Sequence, residues 1–281
     1  MMKKVIAITG ASNGMGEAAA KLFAKNGWIV YGGARRVEKI PTAENIHALK
    51  LDVTDSESNH AFVETIYHEQ GRVDVLINNA GYGEYGPVEE VPLENARKQF
   101  ETNFFGAAEL TQIVLPIMRA QKSGRIVNIS SIGGDVYTPL GAYYHATKAA
   151  IQQWSDVLDL EVAEFGIRSV VVQPGGTQSA WSDIAMSNAK KNLKPNSAYL
   201  NLVNNVTAML NNGSASRFPT AEALAEVFYK AATDAKPKMR YLNSFSDRVA
   251  VHFARSHPKL LKMGISMAMR RINKKKTLFN E

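Results

Sequence analysis

The pattern of this sequence points to an α/β fold: a doubly wound, mostly parallel sheet with helices on both faces, built as a single domain. Three observations carry the expectation. Short aliphatic runs alternate with stretches of helical periodicity along most of the chain. The first run passes directly into a glycine-rich turn that opens a helix. The chain has 281 residues, 45% of them hydrophobic, enough for a large core within the size one doubly wound domain commonly fills.

Each element follows from its pattern. Residues 4–9 are an apolar run that reads as a strand buried on both faces. Residues 14–26 show helical spacing through Met15, Ala19, Leu22 and Phe23. Strands are predicted over 28–33 and 46–51, a polar-faced helix over 55–70, and a fourth strand over 73–78. One long helix spans 93–121, then a strand 125–129, a second long helix 142–165 and a strand 168–173. Helices of this length between strands imply parallel pairing through right-handed crossovers. Past Pro174 the composition shifts to Asn, Ser, Ala and Lys. Residues 179–215 read as a mobile, lid-like helical insertion anchored by Trp181, Met186, Tyr199 and Leu202. A helix over 220–234 takes Thr220 as its N-cap and Glu222 in its first turn. A last strand is predicted over 239–243, and residues 244–281 form a basic C-terminal extension.

Composition narrows the function. The absence of cysteine excludes disulfides, thiolate metal sites and cysteine nucleophiles, and suits a cytoplasmic protein. Lys3 and Lys4 ahead of Val5-Ile6-Ala7-Ile8 imitate a signal peptide, but Thr9-Gly10 interrupts it. No run approaches the roughly 18 apolar residues of a membrane-spanning helix. The net charge is +7, and it is unevenly placed. From Lys236 onward there are 12 Lys/Arg and 2 Asp/Glu, a balance of +10 that leaves −3 for residues 1–235. The basic excess belongs to the C-terminus, away from the motifs.

The turn after the first strand reads Thr9-Gly10-Ala11-Ser12-Asn13-Gly14-Met15-Gly16. Such glycines let the backbone turn sharply and let a pyrophosphate reach a helix N-terminus, where amides and the helix dipole hold it. The spacing G-x-x-x-G-x-G differs from the general dinucleotide fingerprint G-x-G-x-x-G. A 2′-hydroxyl on the cofactor favours an acidic residue about 20 positions past the glycines, a 2′-phosphate an arginine. Ala34 ends the second strand here, and Arg35 and Arg36 follow, so NADP(H) is favoured with NAD(H) as the alternative. Glu38 lies close by and weakens the contrast.

Further along stand Leu51-Asp52-Val53, Asn78-Asn79-Ala80-Gly81, Asn103, Ser131, Tyr144 with Lys148, and Pro174-Gly175-Gly176-Thr177-Gln178-Ser179. Hydride transfer to a carbonyl leaves an oxyanion that needs a proton. A tyrosine, with an ordinary pKa near ~10, needs a positive neighbour to manage this near neutrality. Tyr144 and Lys148 lie at i and i+4 on one helix face, whereas Tyr143 points elsewhere. In Asn128-Ile129-Ser130-Ser131 adjacent side chains alternate faces, so one serine alone faces the cleft.

This ordered set resembles the short-chain dehydrogenase/reductase family, in which TGxxxGxG opens a Rossmann-type domain and NNAG, Asn, Ser and Tyr-x-x-x-Lys follow in order. The resemblance covers residues 3–235 and leaves the tail aside. It implies an oxidoreductase moving hydride between a nicotinamide cofactor and a carbonyl or secondary alcohol. The family's Ser–x12–Tyr–x3–Lys spacing selects Ser131 over Ser130. By resemblance, Tyr144 donates the proton in reduction and accepts it in oxidation, while Lys148 lowers the tyrosine pKa and bonds the nicotinamide ribose. Ser131 orients the substrate oxygen, and Asn103 holds water for a relay through Lys148. The implied cofactor contacts begin with Gly10, Ser12, Asn13, Gly14, Met15 and Gly16, with Arg35 and Arg36 as the phosphate partners. Asp52 and Val53 would meet the adenine, and Asn79, Ala80 and Gly81 would line the cleft. Pro174, Gly175, Thr177 and Ser179 would sit beside the carboxamide, Ser179 standing in for the family's usual threonine. The resemblance also implies a homo-oligomer, dimer or tetramer, joined through the 142–165 helix.

Other chemistries find no support. His60 and His68 lie on a polar helix without partner ligands, so no metal is expected. HExxH, EF-hand and Gly-x-Ser-x-Gly patterns are absent. Loops containing Tyr82, Tyr85, Gly133, Asp135, Tyr137, Trp181, Ile184 and Met186 predict a small, uncharged, moderately hydrophobic substrate. The tail mixes Val249, Val251, Phe253, Leu260, Leu261, Ile265, Met267 and Ile272 with cations. It reads as amphipathic helices that cover the pocket or a subunit interface, rest on an anionic membrane surface, or simply face water. No nucleic-acid motif accompanies the charge. The rival readings are a cofactor-binding scaffold without turnover and a sugar-nucleotide epimerase, whose longer substrate domain is not found here.

Overall fold

The computed structural model describes residues 3–178, 181–211 and 218–277. Ser179, parts of the expected 179–215 insertion and the Ile272 side chain lie outside this description. The first half of the chain runs β1 (Val5–Thr9), α1 (Gly14–Lys25), β2 (Ile29–Ala34), β3 (Ile46–Lys50), α2 (Ser56–Gln70), β4 (Val75–Asn78), α3 (Leu93–Phe100) and α4 (Gly106–Gln121). The second runs β5 (Gly124–Ile129), α5 (Ala142–Val162), β6 (Ile167–Val172), α6 (Trp181–Lys191), α7 (Leu200–Asn211), α8 (Ala221–Thr233), β7 (Arg240–Tyr241), α9 (Phe245–Ser256) and α10 (Pro258–Thr277).

The seven strands pair in parallel in the order β3-β2-β1-β4-β5-β6-β7. The chain starts mid-sheet, winds outward through β2 and β3, then returns to lay β4 against the other side of β1. The connections leaving β1 and β4 therefore part company, and a crevice opens beyond their C-terminal ends. β1 is buried at every position, as a central strand covered on both faces must be.

Alternation along the strands feeds two cores. Ile6, Ile8, Val30, Ile77 and Val127 pack on one face with Ala19 and Phe23 of α1 and Phe228 of α8. Val5, Ala7, Tyr31, Leu76 and Ile126 pack on the other with Phe62 of α2, Leu110 and Val114 of α4 and Leu158 of α5. Asp55 caps α2, accepting from the Glu57 and Ser58 amides at 3.0 and 3.3 Å, and Thr220 caps α8, accepting from Ala223 N at 3.3 Å.

Two elements differ from their sequence pattern. The expected 93–121 helix is interrupted by a π-helical turn, Glu101–Phe105, where Gly106 N bonds to Glu101 O one residue beyond the usual partner. Gly106 is needed at this point, because a Cβ there would run into the backbone and side chain of Val53. The helical insertion, in turn, is more than a set of scattered anchors. Ala185, Met186 and Ala189 of α6 and Val203 and Val206 of α7 are buried together with Tyr85, Leu140 and Tyr144, making a third apolar cluster at the C-terminal edge of the sheet. No helix among the described residues is long and apolar enough to cross a membrane.

Candidate functional site

The glycine turn sits at the crevice. Gly10 and Gly14 have φ of +70° and +55°, the left-handed region that a side chain disfavours. A Cβ on Gly10 would approach Asn79 Nδ2 to 2.9 Å, while one on Gly14 would point into open space. The first turn of α1, capped by the extended Asn13, thus offers unobstructed amides. These features fit a pyrophosphate at the helix N-terminus. Ser12 is half-buried and Asn13 exposed beside it, with Met15 half-buried.

The end of β4 is stitched to this turn. Asn79 Nδ2 donates to Thr9 O at 2.9 Å and Gly10 O at 3.3 Å, and the Asn79 and Ala80 amides donate to Thr9 Oγ1 at 3.0 and 2.9 Å. Asn78 reaches the other way, donating to Asn128 Oδ1 on β5 at 2.9 Å. A Cβ on Gly81 would lie 3.1 Å from Asn103 Oδ1 and 3.6 Å from Lys148 Nζ, so this wall of the cleft is bare backbone. The side chain of Asn79 works as a brace for the turn.

Ser131, Tyr144 and Lys148 come together at the end of β5. The Ser131 hydroxyl lies near enough to the Tyr144 phenol to favour its ionised form. Ser131 Oγ also donates to Pro174 O at 3.2 Å and accepts from Gly133 N at 2.9 Å. Ser130 is turned away: its hydroxyl donates to Lys148 O at 2.7 Å, bracing α5. Lys148 Nζ donates to Ile129 O at 2.8 Å and stands 5.9 Å from the centre of the Tyr144 ring. Burial dominates the titration of both groups. It pushes the Tyr144 phenol up to about 12, against the lowering influence of the Ser131 hydroxyl, and pushes Lys148 down to about 8.

Asn103 lies in the π turn. Its Oδ1 accepts from Tyr82 N at 3.0 Å, and its Nδ2 donates to Tyr82 O at 2.9 Å and Thr147 Oγ1 at 3.2 Å. Both amide hydrogens are spent, which leaves the second lone pair of Oδ1 and the backbone to hold a water at this turn. The side chain ties the loop after β4 to α5.

The remaining expected contacts are spread around the crevice rim. Arg35 and Arg36 are exposed just past β2. Arg35 lies near enough to Tyr82 to oppose the rise of its phenol, which burial and then Glu84 drive up to about 12. Asp52 Oδ1 accepts from Thr54 N and Oγ1 at 3.1 and 2.8 Å, and Val53 is buried beneath Gly106. Pro174 O accepts from Ile132 N at 2.9 Å, and Thr177 Oγ1 donates to Gly175 O at 3.3 Å.

Aromatic side chains cover Tyr144. Trp181 and Tyr85 lie 4.9 and 5.8 Å from the Tyr144 ring, centre to centre, and leave Tyr144 only 8% exposed. His145 is held as the neutral tautomer. Its Nε2 accepts from Thr138 N at 3.0 Å, so Nδ1–H donates to Gly133 O at 2.7 Å. Of the expected pocket residues, Asp135 faces away from Tyr144. It accepts from Arg255 Nε at 2.6 Å and Gln173 Nε2 at 2.6 Å. Gln173, Gln152 and Arg255 thereby surround the Ser131–Asp135 turn, Gln152 donating to Ser130 Oγ and Ser131 O at 3.1 and 3.2 Å. Sequence reasoning missed all three, for each is an ordinary polar residue on its own element. Among the described residues no cluster of acidic, histidine or cysteine side chains could hold a metal ion.

Comparison with known proteins agrees with this geometry. The family model described as short chain dehydrogenase matches residues 4–191. The 3-ketodihydrosphingosine reductase of Bacteroides thetaiotaomicron is 43% identical over 183 residues, 65% of this chain and 67% of that protein. Oxidoreductase BOA17 of Botryotinia fuckeliana is 33% identical over 247 residues, 86% of this chain and 89% of its own. The crystal structure of a short-chain dehydrogenase from Streptomyces avermitilis superposes with a TM-score of 0.77 at 32% identity, covering 98% of this chain and 99% of that one.

Proposed function

The chain belongs to the short-chain dehydrogenase family, and from that premise we propose that it is an NADP(H)-dependent oxidoreductase acting on a carbonyl or secondary alcohol of a small, moderately hydrophobic molecule. One observation carries the reading: Ser131, Tyr144 and Lys148 converge at the C-terminal edge of β5, across the crevice from the bare first turn of α1. The cofactor would be held by Gly10, Ser12, Asn13, Gly14, Met15 and Gly16 at the pyrophosphate, and by Arg35 and Arg36 at the 2′-phosphate. Asp52 and Val53 would lie at the adenine. Asn79, Ala80, Gly81, Pro174, Gly175, Thr177 and Ser179 would flank the nicotinamide side. When bound, a nicotinamide cofactor would supply the hydride chemistry. Tyr144 Oη then holds the proton that the substrate oxygen gains or loses, and the Ser131 hydroxyl orients that oxygen. Lys148 supplies a positive charge next to the phenol at the moment the phenolate forms. Asn103 keeps the loop after β4 against α5 so that this set stays aligned.

The aromatic cover of Tyr85 and Trp181 supports an uncharged substrate, and α6 and α7 serve as its lid. The Bacteroides relative is named for reduction of a ketone, which supports carbonyl chemistry here. We take the protein to be a cytoplasmic homo-oligomer joined through α5, where Leu160 and Val157 are 81% and 46% exposed.

Quenching of tryptophan fluorescence by NADPH and NADH tests the reading. NADPH should bind the more tightly, and Arg35→Ala should weaken NADPH by roughly tenfold while sparing NADH. Equal weakening of both would remove the 2′-phosphate assignment. Failure of either nucleotide to bind would remove the oxidoreductase reading itself.

A further inference from the structure

The last two helices carry apolar rows that neither the core nor the candidate site uses. On α9, Phe245, Val249 and Phe253 succeed one another at i, i+4 and i+8 and are 80%, 50% and 40% exposed, while Val251 and Ala254 of the same helix are buried. On α10, Leu260, Met263 and Met267 are 47%, 52% and 47% exposed. Leu261, Ile265 and Met269 of α10 are half-buried, Met269 packing against the cluster around Tyr144. A helix needs one apolar stripe to dock on its own protein. α10 has that stripe and a second one facing outward. The two helices meet at a corner where the Phe253 ring stacks on His257, with centres 5.3 Å apart.

Cations frame these rows. Arg248, Lys259, Lys262 and Arg270 are exposed beside them, and α10 contains no acidic residue. The chain from Lys236 onward holds 12 Lys/Arg against 2 Asp/Glu. We propose that the outer face of α9 and α10 docks the protein on an anionic lipid surface, its apolar rows entering the boundary between headgroups and acyl chains while the cations pair with lipid phosphates. Charge decides against a second copy of this chain as the occupant. A self-complementary interface would set one strongly basic face against another, whereas an anionic surface attracts every cation on it. On α5, by contrast, the exposed Val157 and Leu160 have Glu161 beside them, and the nearby Asp156 and Asp159 are paired with Arg240 and Arg168, so that face carries no basic excess. Because α10 also packs on the Tyr144 cluster, docking would bring the covering elements of the cleft to the lipid boundary.

The test is co-sedimentation of the full chain with phosphatidylcholine vesicles, with and without about one-third phosphatidylglycerol. Pelleting should be at least about fivefold greater on the anionic vesicles, and salt at about 0.5 M should reverse most of it. Phe253→Ser with Met263→Ser should cut anionic-vesicle binding roughly tenfold while leaving NADPH quenching and the melting temperature unchanged. No pelleting, or equal pelleting on both kinds of vesicle, would overturn the proposal. So would a double variant that turns an oligomer into a monomer without changing lipid binding, since the face would then be a contact between copies. Vesicle binding is read without turnover, so its failure would leave the oxidoreductase reading standing, and the converse also holds.

Discussion

Tyr144 and Lys148 are held in opposite departures from their usual ionisation, both caused chiefly by burial. With its phenol near 12, Tyr144 keeps its proton at neutral pH, and giving it up calls for a positive charge beside the forming phenolate. Tyr144→Phe removes only that proton and the hydroxyl, so turnover should fall by about 100-fold or more while NADPH quenching is retained. Substantial residual turnover would sink the assigned role. Lys148, ordinarily at 10.5, is pushed to about 8. Its ammonium is present below that pH and lost above it, so kcat/KM for carbonyl reduction should decline as the pH rises through about 8. A flat profile from about pH 7 to 9 would mean that the charge is not needed. Stability has its own sign. Between about 8 and 10.5 the unfolded chain binds a proton that the folded chain lacks, so stability rises with pH across this window. Below it the buried charge is a standing cost. Lys148→Met should therefore raise the melting temperature of the nucleotide-free protein at pH 7 while destroying turnover; a lowered melting temperature would show that the bond to Ile129 O outweighs the desolvation.

The strands and helices were legible because their causes are local. Apolar runs such as Val5-Ile6-Ala7-Ile8 and Val75-Leu76-Ile77 carry their burial in their own composition. The candidate set was legible for a related reason: Ser131 stands two residues past the end of a strand, and Tyr144 and Lys148 share a helix face. The π turn was not. Glu101-Thr102-Asn103-Phe104-Phe105 continues a helical pattern without Pro or Gly, and its cause is tertiary, in the hold of Asn103 on Tyr82 and of Gly106 on Val53. The contribution of α9 was equally hidden, because Arg255 and Asp135 are 120 positions apart. Here α9 reaches the Ser131–Asp135 turn. Arg255 fixes Asp135, and Arg255 Nη2 also donates to Gln152 Oε1 at 3.3 Å, next to the Ser131 backbone. Asp247 lies against Gly175, where a Cβ would come within 2.5 Å of its Oδ1. A half-exposed ion pair of this kind contributes only about 1 kcal/mol to stability. Arg255→Met should thus lower kcat about three- to tenfold with little change in melting temperature or NADPH affinity, and Arg255→Lys should recover part of the loss. An unchanged kcat, or a loss matched by unfolding, would make Arg255 an ordinary surface cation.

Three apolar clusters of unequal kind divide the molecule. Two are pressed between the sheet and its helices, so opening them requires breaking the parallel ladder through β1, β4, β5 and β6. The third joins α6, α7 and α10 to Tyr85 and Tyr144 at the sheet's edge, with no strand running through it. It holds fewer buried residues than either sheet-facing cluster, so separating α6 and α7 from it exposes less apolar area than opening either sheet face. Trp181 and Tyr85 cover the Tyr144 ring, so under the proposed reaction a substrate that meets Tyr144 needs this cluster to open while the sheet stays shut. Native-state hydrogen exchange should therefore separate the chain into two populations. Amides of β1, β4, β5 and β6 should exchange only through global unfolding, and those of α6 and α7 about 100-fold or more faster, with a weaker dependence on denaturant. Trp181→Ala should speed exchange in α6 and α7 further and leave the strands unchanged. Uniform protection across both sets would mean that the cover opens only when the whole domain does, and access to Tyr144 would then need a route other than through α6 and α7.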